Sequence, residues 1–290
     1  MNTTTASDGL VALLVENHTR EKLHYFKRYI HEFATATKEK WRIRNYIDLF
    51  AGPGFNVLGD NGQGIDGSPM LAVKTRYPFE TYHVYDAEPG FLDALVVRRQ
   101  QAILANPQAD RPCYPYPGDA NEQVDHILAK IHPEGSINLV VIDPPGANCH
   151  WETVRKLCGL KYVDLVINFP LGMAIKRIIH QSYEAEEESA LDRFFGTLEW
   201  RRVYEQAGGQ PRLAARSLVD LYKRRLAELG HLEESQINEV TNYSSSVDIR
   251  RDEGQDLYLL IFASRSHLAH HLWSQAVKID DEGQSRLPGF

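Results

Sequence analysis

No run of about 18 or more consecutive apolar residues occurs in this 290-residue chain, so nothing in it reads as a membrane-spanning helix. The polar opening from Met1 to Gly9 lacks the charged and apolar blocks of a secretory signal. A soluble, cytoplasmic chain with no membrane partner is therefore expected. Cysteine is scarce: Cys113, Cys149 and Cys158 cannot all pair, and their spacing fits no common zinc pattern. His150 beside Cys149 is a single pair, short of a four-ligand site, so the thiols read as reduced and structural, and no metal is expected. Positive charge is in deficit as well. With 32 Lys and Arg against 39 Asp and Glu, the formal net charge is -7, which argues against binding nucleic acid through the bulk field.

What is present suits one large globular domain: 43% of residues are hydrophobic and 24% charged. Leu23, Phe26, Ile30 and Phe33 recur near helical spacing, predicting an amphipathic helix within an N-terminal segment, 1–45. Segment 20–44 carries eight basic and three acidic side chains, with Tyr25, Tyr29 and Trp41 interleaved. It is either a solvated helix face or a patch for a nucleic-acid substrate.

An α/β core is expected over 46–170. Tyr46 to Phe50 reads as a buried strand entering the turn Ala51-Gly52-Pro53-Gly54. Phe55 to Gly67 shows no periodicity, and Ser68-Pro69 then starts a helix. Further strands are expected at Tyr82–Tyr85, around Tyr114 and Tyr116, at Ile137–Ile142 and at Val163–Phe169, with helices between them. Such alternation predicts a mainly parallel, Rossmann-like sheet with its ligand crevice at the carboxyl ends of the strands. Segment 171–234 reads as a helical insertion or lid, with a second basic set at 212–225. Segment 235–279 completes the core with an antiparallel strand pair, 235–240 and 257–263, joined by a polar connection, 242–256. The tail 280–290 reads as frayed.

The chemistry-bearing residues fall at strand ends. Gly52 and Gly54 let backbone approach a ligand closely. Val57 stands where the dinucleotide fingerprint needs a small residue, against a nicotinamide enzyme. Asp86, with Glu88 as its rival, is placed either to accept from ribose hydroxyls or to cap the next helix. Asp119, in Gly118-Asp119-Ala120-Asn121, accepts from an adenine amino group or is likewise a cap. Asp143-Pro144-Pro145-Gly146 fixes two φ angles and removes two donors, which leaves an acceptor-only pocket suited to an amino group, or else simply ends a strand.

The order of glycine turn, acidic strand end, Gly-Asp and Asp-Pro-Pro resembles class I S-adenosylmethionine-dependent methyltransferases. More narrowly, several stretches resemble the three-Cys-motif partner (TcmP) family over roughly residues 18 to 170. They are His18-Thr19, Lys22-Leu23, Tyr29, Tyr46 through Gly54, Gly67-Ser68-Pro69, Gly118 through Asn121, Asp143 through Gly146, Trp151 and Asp164 through Pro170. The resemblance implies a class I methyltransferase sheet, S-adenosylmethionine as cofactor, and a companion protein that carries the three-Cys motif. It sets Asp48, Ala51, Gly52 and Gly54 against the methionine part, Asp86 against ribose, and Asp119 and Ala120 against adenine. Asp143 and Pro144 fall against the acceptor amino group, with Pro145, Trp151 and Asn168 beside the substrate. Gly146 stands where base amino-methyltransferases carry a stacking aromatic. Methyl transfer to a macromolecule, with a nucleic-acid amino group as one candidate, is the expected function; a non-catalytic docking module on the same fold is the alternative.

Overall fold

The computed structural model describes residues 2–132, 134–230, 244–250, 256–281 and 283–284. Its central sheet is built from Ile43–Asp48 (β3), Thr81–Asp86 (β6), Cys113–Pro117 (β7), Ser136–Ile142 (β8), Val163–Phe169 (β9), Ser244–Arg250 (β10) and Asp256–Ser264 (β11). The spatial order is β10-β11-β9-β8-β3-β6-β7. β7, β6, β3, β8 and β9 run parallel, whereas β11 is antiparallel to both β9 and β10. This is the mainly parallel, Rossmann-like sheet that the sequence predicts, with its antiparallel pair at one edge.

Period-two alternation explains why the inner strands read as continuous apolar runs. Val140, Ile142, Leu165, Ile167 and Phe169 face one core, together with Ala120–Lys130 (α4) and Trp151–Cys158 (α5). Tyr46, Leu139, Val141, Val166 and Phe262 face the other, covered by His18–Thr37 (α1), Ser68–Val73 (α2), Pro89–Ala105 (α3) and His267–Ala276 (α10). Pro115 and Pro117 are tolerated because β7 is an edge strand.

The segment after β9 is helical: Lys176–Glu184 (α6), Ala190–Phe195 (α7), Glu199–Gln206 (α8) and Pro211–Leu229 (α9). Phe194, Phe195 and Tyr222 meet Phe169 with ring centroids 5.5, 6.3 and 5.1 Å away. These helices are thus a packed layer on the sheet rather than a detached lid, and only Ala190 and Arg193 of them reach the cleft described below.

Three expectations are corrected. The N-terminal segment is not helix alone: Thr3–Thr5 (β1) and Val11–Val15 (β2) form a hairpin. Phe55 to Gly67 is no plain loop either, since Phe55–Leu58 (β4) pairs parallel to β2 and Gly64–Asp66 (β5) antiparallel to β4, making a second, four-stranded sheet. At the other end, β10 lies within the stretch expected to be a connection, 242–256, and α10 follows β11 where no helix was expected. The strand expected at 235–240 lies outside the described residues, as does most of the tail.

Candidate functional site

The carboxyl ends of β3, β6 and β8, together with the residues following β7, open into a cleft of about 630 Å³. Its floor is the turn after β3. Gly52 and Gly54 take φ of +60° and +77°, which other residues rarely adopt. A Cβ on Gly54 would lie 2.6 Å from Leu95 Cδ1 and 2.9 Å from Met70 Cγ. Gly67 donates its N–H to the Gly54 carbonyl at 2.8 Å, and a Cβ there would fall 3.1 Å from the Gly54 backbone. Close approach is therefore required at both glycines before any ligand is considered.

Asp48 supports this turn from beneath. It is fully buried, accepts from the Ser68 hydroxyl at 2.7 Å and the Tyr46 hydroxyl at 2.9 Å, and does not line the cleft. Burial pushes its carboxyl up to about 7. Its expected contact with the methionine part is corrected to a role in shaping the turn. Ala51, Gly52 and Gly54 do line the cleft.

Asp86 accepts the Gly52 N–H on Oδ2 at 2.8 Å and the Glu88 N–H on Oδ1 at 2.9 Å. Burial raises its carboxyl above the ordinary range. Two acceptor positions are used of the four or so that a carboxylate offers, so it retains capacity for hydroxyl donors. The exposed Glu88 lines the same wall. Asp119 is the N-cap of α4: its Oδ1 accepts from the Asn121 backbone and side-chain amide, each at 2.8 Å. Ala120 lies beside it on the cleft wall. Sequence reasoning passed over Asn121. Its Nδ2 also donates to the Asn148 carbonyl at 2.9 Å, while its Oδ1 accepts from the His150 N–H and the Thr153 hydroxyl, each at 2.8 Å. One side chain thus clips the Asp119 turn to the segment 148–153.

The Asp-Pro-Pro turn departs from the acceptor-only pocket. Lys22, from α1, places its ammonium 2.8 Å from Asp143 Oδ1 and 2.7 Å from Oδ2, and Asn168 Nδ2 donates to Oδ1 at 2.7 Å. Asp143 therefore faces a cation inside the cleft. The signal for Lys22 was its place in the first helix, but nothing local ties it to a residue 121 positions away. Asn168 does not line the cleft and acts through Asp143; its buried Oδ1 has no hydrogen-bond partner among the described residues. Pro144 and Pro145 line the cleft. Trp151 does not: it is 4% exposed, packs edge-on to Tyr222 at 5.2 Å, and lies under the Arg225 guanidinium. Its expected place beside the substrate is corrected to the core.

The basic segments are partly consumed by the fold. Arg20 pairs with Asp281, Lys22 with Asp143 and Arg44 with Glu80, and Arg28 donates to the Ala276 and Gln275 carbonyls. Lys27, Lys40 and Arg42 are exposed. In the second segment Arg225 donates to the Phe195 carbonyl and Arg224 pairs with Glu199, while Arg212 and Arg216 are exposed. The three cysteines are unpaired, and burial raises the Cys149 and Cys158 thiols, the latter to about 12. No helix among the described residues is long and apolar enough to cross a membrane.

No family model and no curated protein matches the sequence. Among solved structures, a Legionella pneumophila protein is 10% identical with a TM-score of 0.48, the match covering 90% of this chain and 92% of that one. A small RNA methyltransferase is 12% identical with a TM-score of 0.42, covering 83% of this chain and 26% of that one. A spermidine synthase from Thermotoga maritima is 11% identical with a TM-score of 0.40, covering 89% and 64%. Scores below 0.5 leave the chemistry of the cleft to rest on its own residues.

Proposed function

We propose that this chain is an S-adenosylmethionine-dependent methyltransferase acting on a nitrogen or oxygen nucleophile of a macromolecule. The observation that carries the reading is one cleft in which a glycine turn, the Asp86 and Glu88 carboxylates, the Asp119 turn and the Asp143-Pro144-Pro145 turn all converge. The donor set fits the cofactor. Carboxylates at Asp86 and Glu88 suit vicinal hydroxyls, the Asp119 carboxylate suits an exocyclic amino group, and the glycines leave room for a backbone-lined seat. Its volume lies within the range of about 300–1,000 Å³ common for ligand sites.

When bound, S-adenosylmethionine supplies an electrophilic methyl group on a sulfonium. The protein's part is to place the acceptor atom and align it. Asp143, held by Asn168, accepts from the acceptor's N–H or O–H and orients its lone pair, and the rigid Pro144-Pro145 backbone fixes where that carboxylate stands. Lys22 leaves Asp143 as the acceptor arrives. The family resemblance adds two parts to the proposal: a companion protein carrying a three-Cys motif, and a nucleic-acid amino group as the first acceptor to try. Exposed Lys27, Lys40, Arg42, Arg212 and Arg216 support the latter.

A second reading, a non-catalytic docking module on the same fold, is favoured by the Lys22 ammonium on Asp143 and by Gly146 in place of an aromatic. Calorimetric titration with S-adenosylhomocysteine separates the two. Micromolar binding that Asp86→Ala abolishes and Asp143→Ala leaves nearly intact supports the enzyme, whereas no binding by the parent chain supports the module.

A further inference from the structure

The Arg98 guanidinium, on α3, is 4% exposed and joins four pieces of chain. Nε and Nη2 donate to Asp8 Oδ2 and Oδ1 at 2.8 and 3.0 Å, a bidentate pair. Nη1 donates to the Val11 carbonyl at 2.8 Å and to the Pro53 carbonyl at 2.7 Å. The guanidinium also lies 5.2 Å from the centroid of the Phe55 ring. Asp8 sits in the turn between β1 and β2, where its Oδ1 also accepts the Leu10 N–H at 3.0 Å. Pro53 lies between the two positive-φ glycines of the cleft floor. A single cation therefore fastens the N-terminal hairpin to the glycine turn.

The hairpin is itself part of the cleft. Asn2, Leu13, Leu14 and Val15 line it, and Leu13 Cδ1 would stand 3.4 Å from a Cβ on Gly52. Turns that depend on positive φ at two positions are held mainly by the hydrogen bonds they make, and Pro53 has no N–H to contribute. Its carbonyl is pinned only as firmly as Arg98 is, and the bidentate Asp8 contact orients that planar fork. The Arg98 hydrogen bond also holds the Asp8 carboxyl below its ordinary range.

We propose that Arg98, oriented by Asp8, is a positioning residue that sets the glycine turn for the cofactor, with residues 2–15 as a fixed wall of that site. The inference rests on the cofactor reading above. Its consequence is that a change in the exposed hairpin turn, remote in sequence from every cleft motif, lowers cofactor affinity.

The test is calorimetric titration of the full chain with S-adenosylhomocysteine at 10 °C, with melting temperatures measured separately. Asp8→Ala is expected to raise Kd about tenfold, and Asp8→Glu, which keeps the carboxylate, to restore most of the affinity. Arg98→Lys keeps the charge but loses the fork and is expected to weaken binding at least as much. Lys74→Ala serves as the control, because it removes a more exposed ion pair, Lys74 to Asp66 at 2.7 Å, at the other end of the same small sheet. Its Kd is expected to stay at the parent value. Binding by the parent that Asp8→Ala leaves unchanged overturns this inference alone, as does an equal loss in Lys74→Ala. Failure of the parent to bind overturns the cofactor reading and this inference with it.

Discussion

Separating Lys22 from Asp143 is the most informative perturbation of the cleft. The two side chains are 11% and 15% exposed, with contacts of 2.7 and 2.8 Å. Breaking a fully buried pair by removing one partner costs about 3–5 kcal/mol, and a fully exposed pair is worth about 0.2–1 kcal/mol. This pair lies between those limits at a cleft mouth, so Lys22→Met and Asp143→Asn are each expected to cost about 2 kcal/mol. The double variant should cost only slightly more than either single one, because the second change removes a charge already stranded by the first. That gives a coupling of about 1.5 kcal/mol in a double-mutant cycle. Urea denaturation of the four proteins at pH 7.5 measures it, and a loss near 2 kcal/mol appears as a fall in Tm of about 4–8 °C. Repeating the cycle in 0.5 M NaCl should leave most of the coupling, since partly buried pairs are weakly screened. Additive losses, with coupling under about 0.5 kcal/mol, would refute the placement of Lys22 on Asp143.

Gly54→Ala is expected to destabilise by about 2 kcal/mol or more, adding a Cβ clash with Leu95 and Met70 to a positive-φ strain. Gly62→Ala, at φ +69° with no atom within 4 Å, should cost only about 1 kcal/mol; equal melting temperatures for the two would contradict the packing. The carboxyl of Asp48 is raised from 3.8 to about 7, so the folded chain holds more protons than the unfolded one between those values. Its contribution to stability is full below pH 4 and is lost as pH rises through 7. Denaturation curves from pH 5 to 8.5 should accordingly fall less steeply for Asp48→Asn than for the parent, and parallel curves would argue against the buried carboxyl. Trp151→Ala should cost about 3–5 kcal/mol through the cavity it leaves, while Trp151→Phe keeps S-adenosylhomocysteine affinity; a tenfold loss of affinity in the latter would return Trp151 to the cleft.

Strands buried on both faces were readable because their side chains say so: Ile137 to Ile142 and Val163 to Phe169 are mainly apolar stretches followed within two residues by proline. Of the strands missed, Val11–Val15, with the sequence Val-Ala-Leu-Leu-Val, is itself an apolar run and was legible in principle, whereas the three-residue ones carry no such mark. Thr3–Thr5 and Gly64–Asp66 are three residues each, held by backbone pairing to neighbours that composition does not reveal. β10, with the sequence Ser-Ser-Ser-Val-Asp-Ile-Arg, reads as an exposed loop because an edge strand needs partners only for its backbone. The helix α10 was legible in principle, with Ser266 as its N-cap and Ala269, Trp273 and Ala276 at helical spacing, but it was absorbed into a strand segment. The site divides the same way. Asp86, Asp119 and Asp143 stand at strand ends, where the fold fixes their position. Lys22 and Arg98 reach the cleft through contacts of 121 and 45 residues in sequence separation, and no local pattern encodes those.

The ion pair also bears on what the cleft can accept. A neutral amino or hydroxyl group that replaces the Lys22 ammonium on Asp143 exchanges a charge-assisted contact for a weaker one. Occupancy by such an acceptor is therefore unfavourable unless contacts elsewhere on the same molecule offset the difference, which is how remote binding energy is used at a reacting centre. A small neutral amine has no such contacts, whereas the macromolecular acceptor proposed above has further groups to place on exposed basic residues such as Lys27 of α1 or, on the opposite face of the sheet, Arg212 and Arg216 of α9. Free nucleosides are accordingly expected to be methylated at least about a hundredfold less efficiently, in kcat/KM, than a structured nucleic acid carrying the same base. In Lys22→Met the competing ammonium is gone and that gap should narrow, the nucleoside gaining more than the polymer. A gap that stays the same would mean that Lys22 does not stand in the acceptor's way.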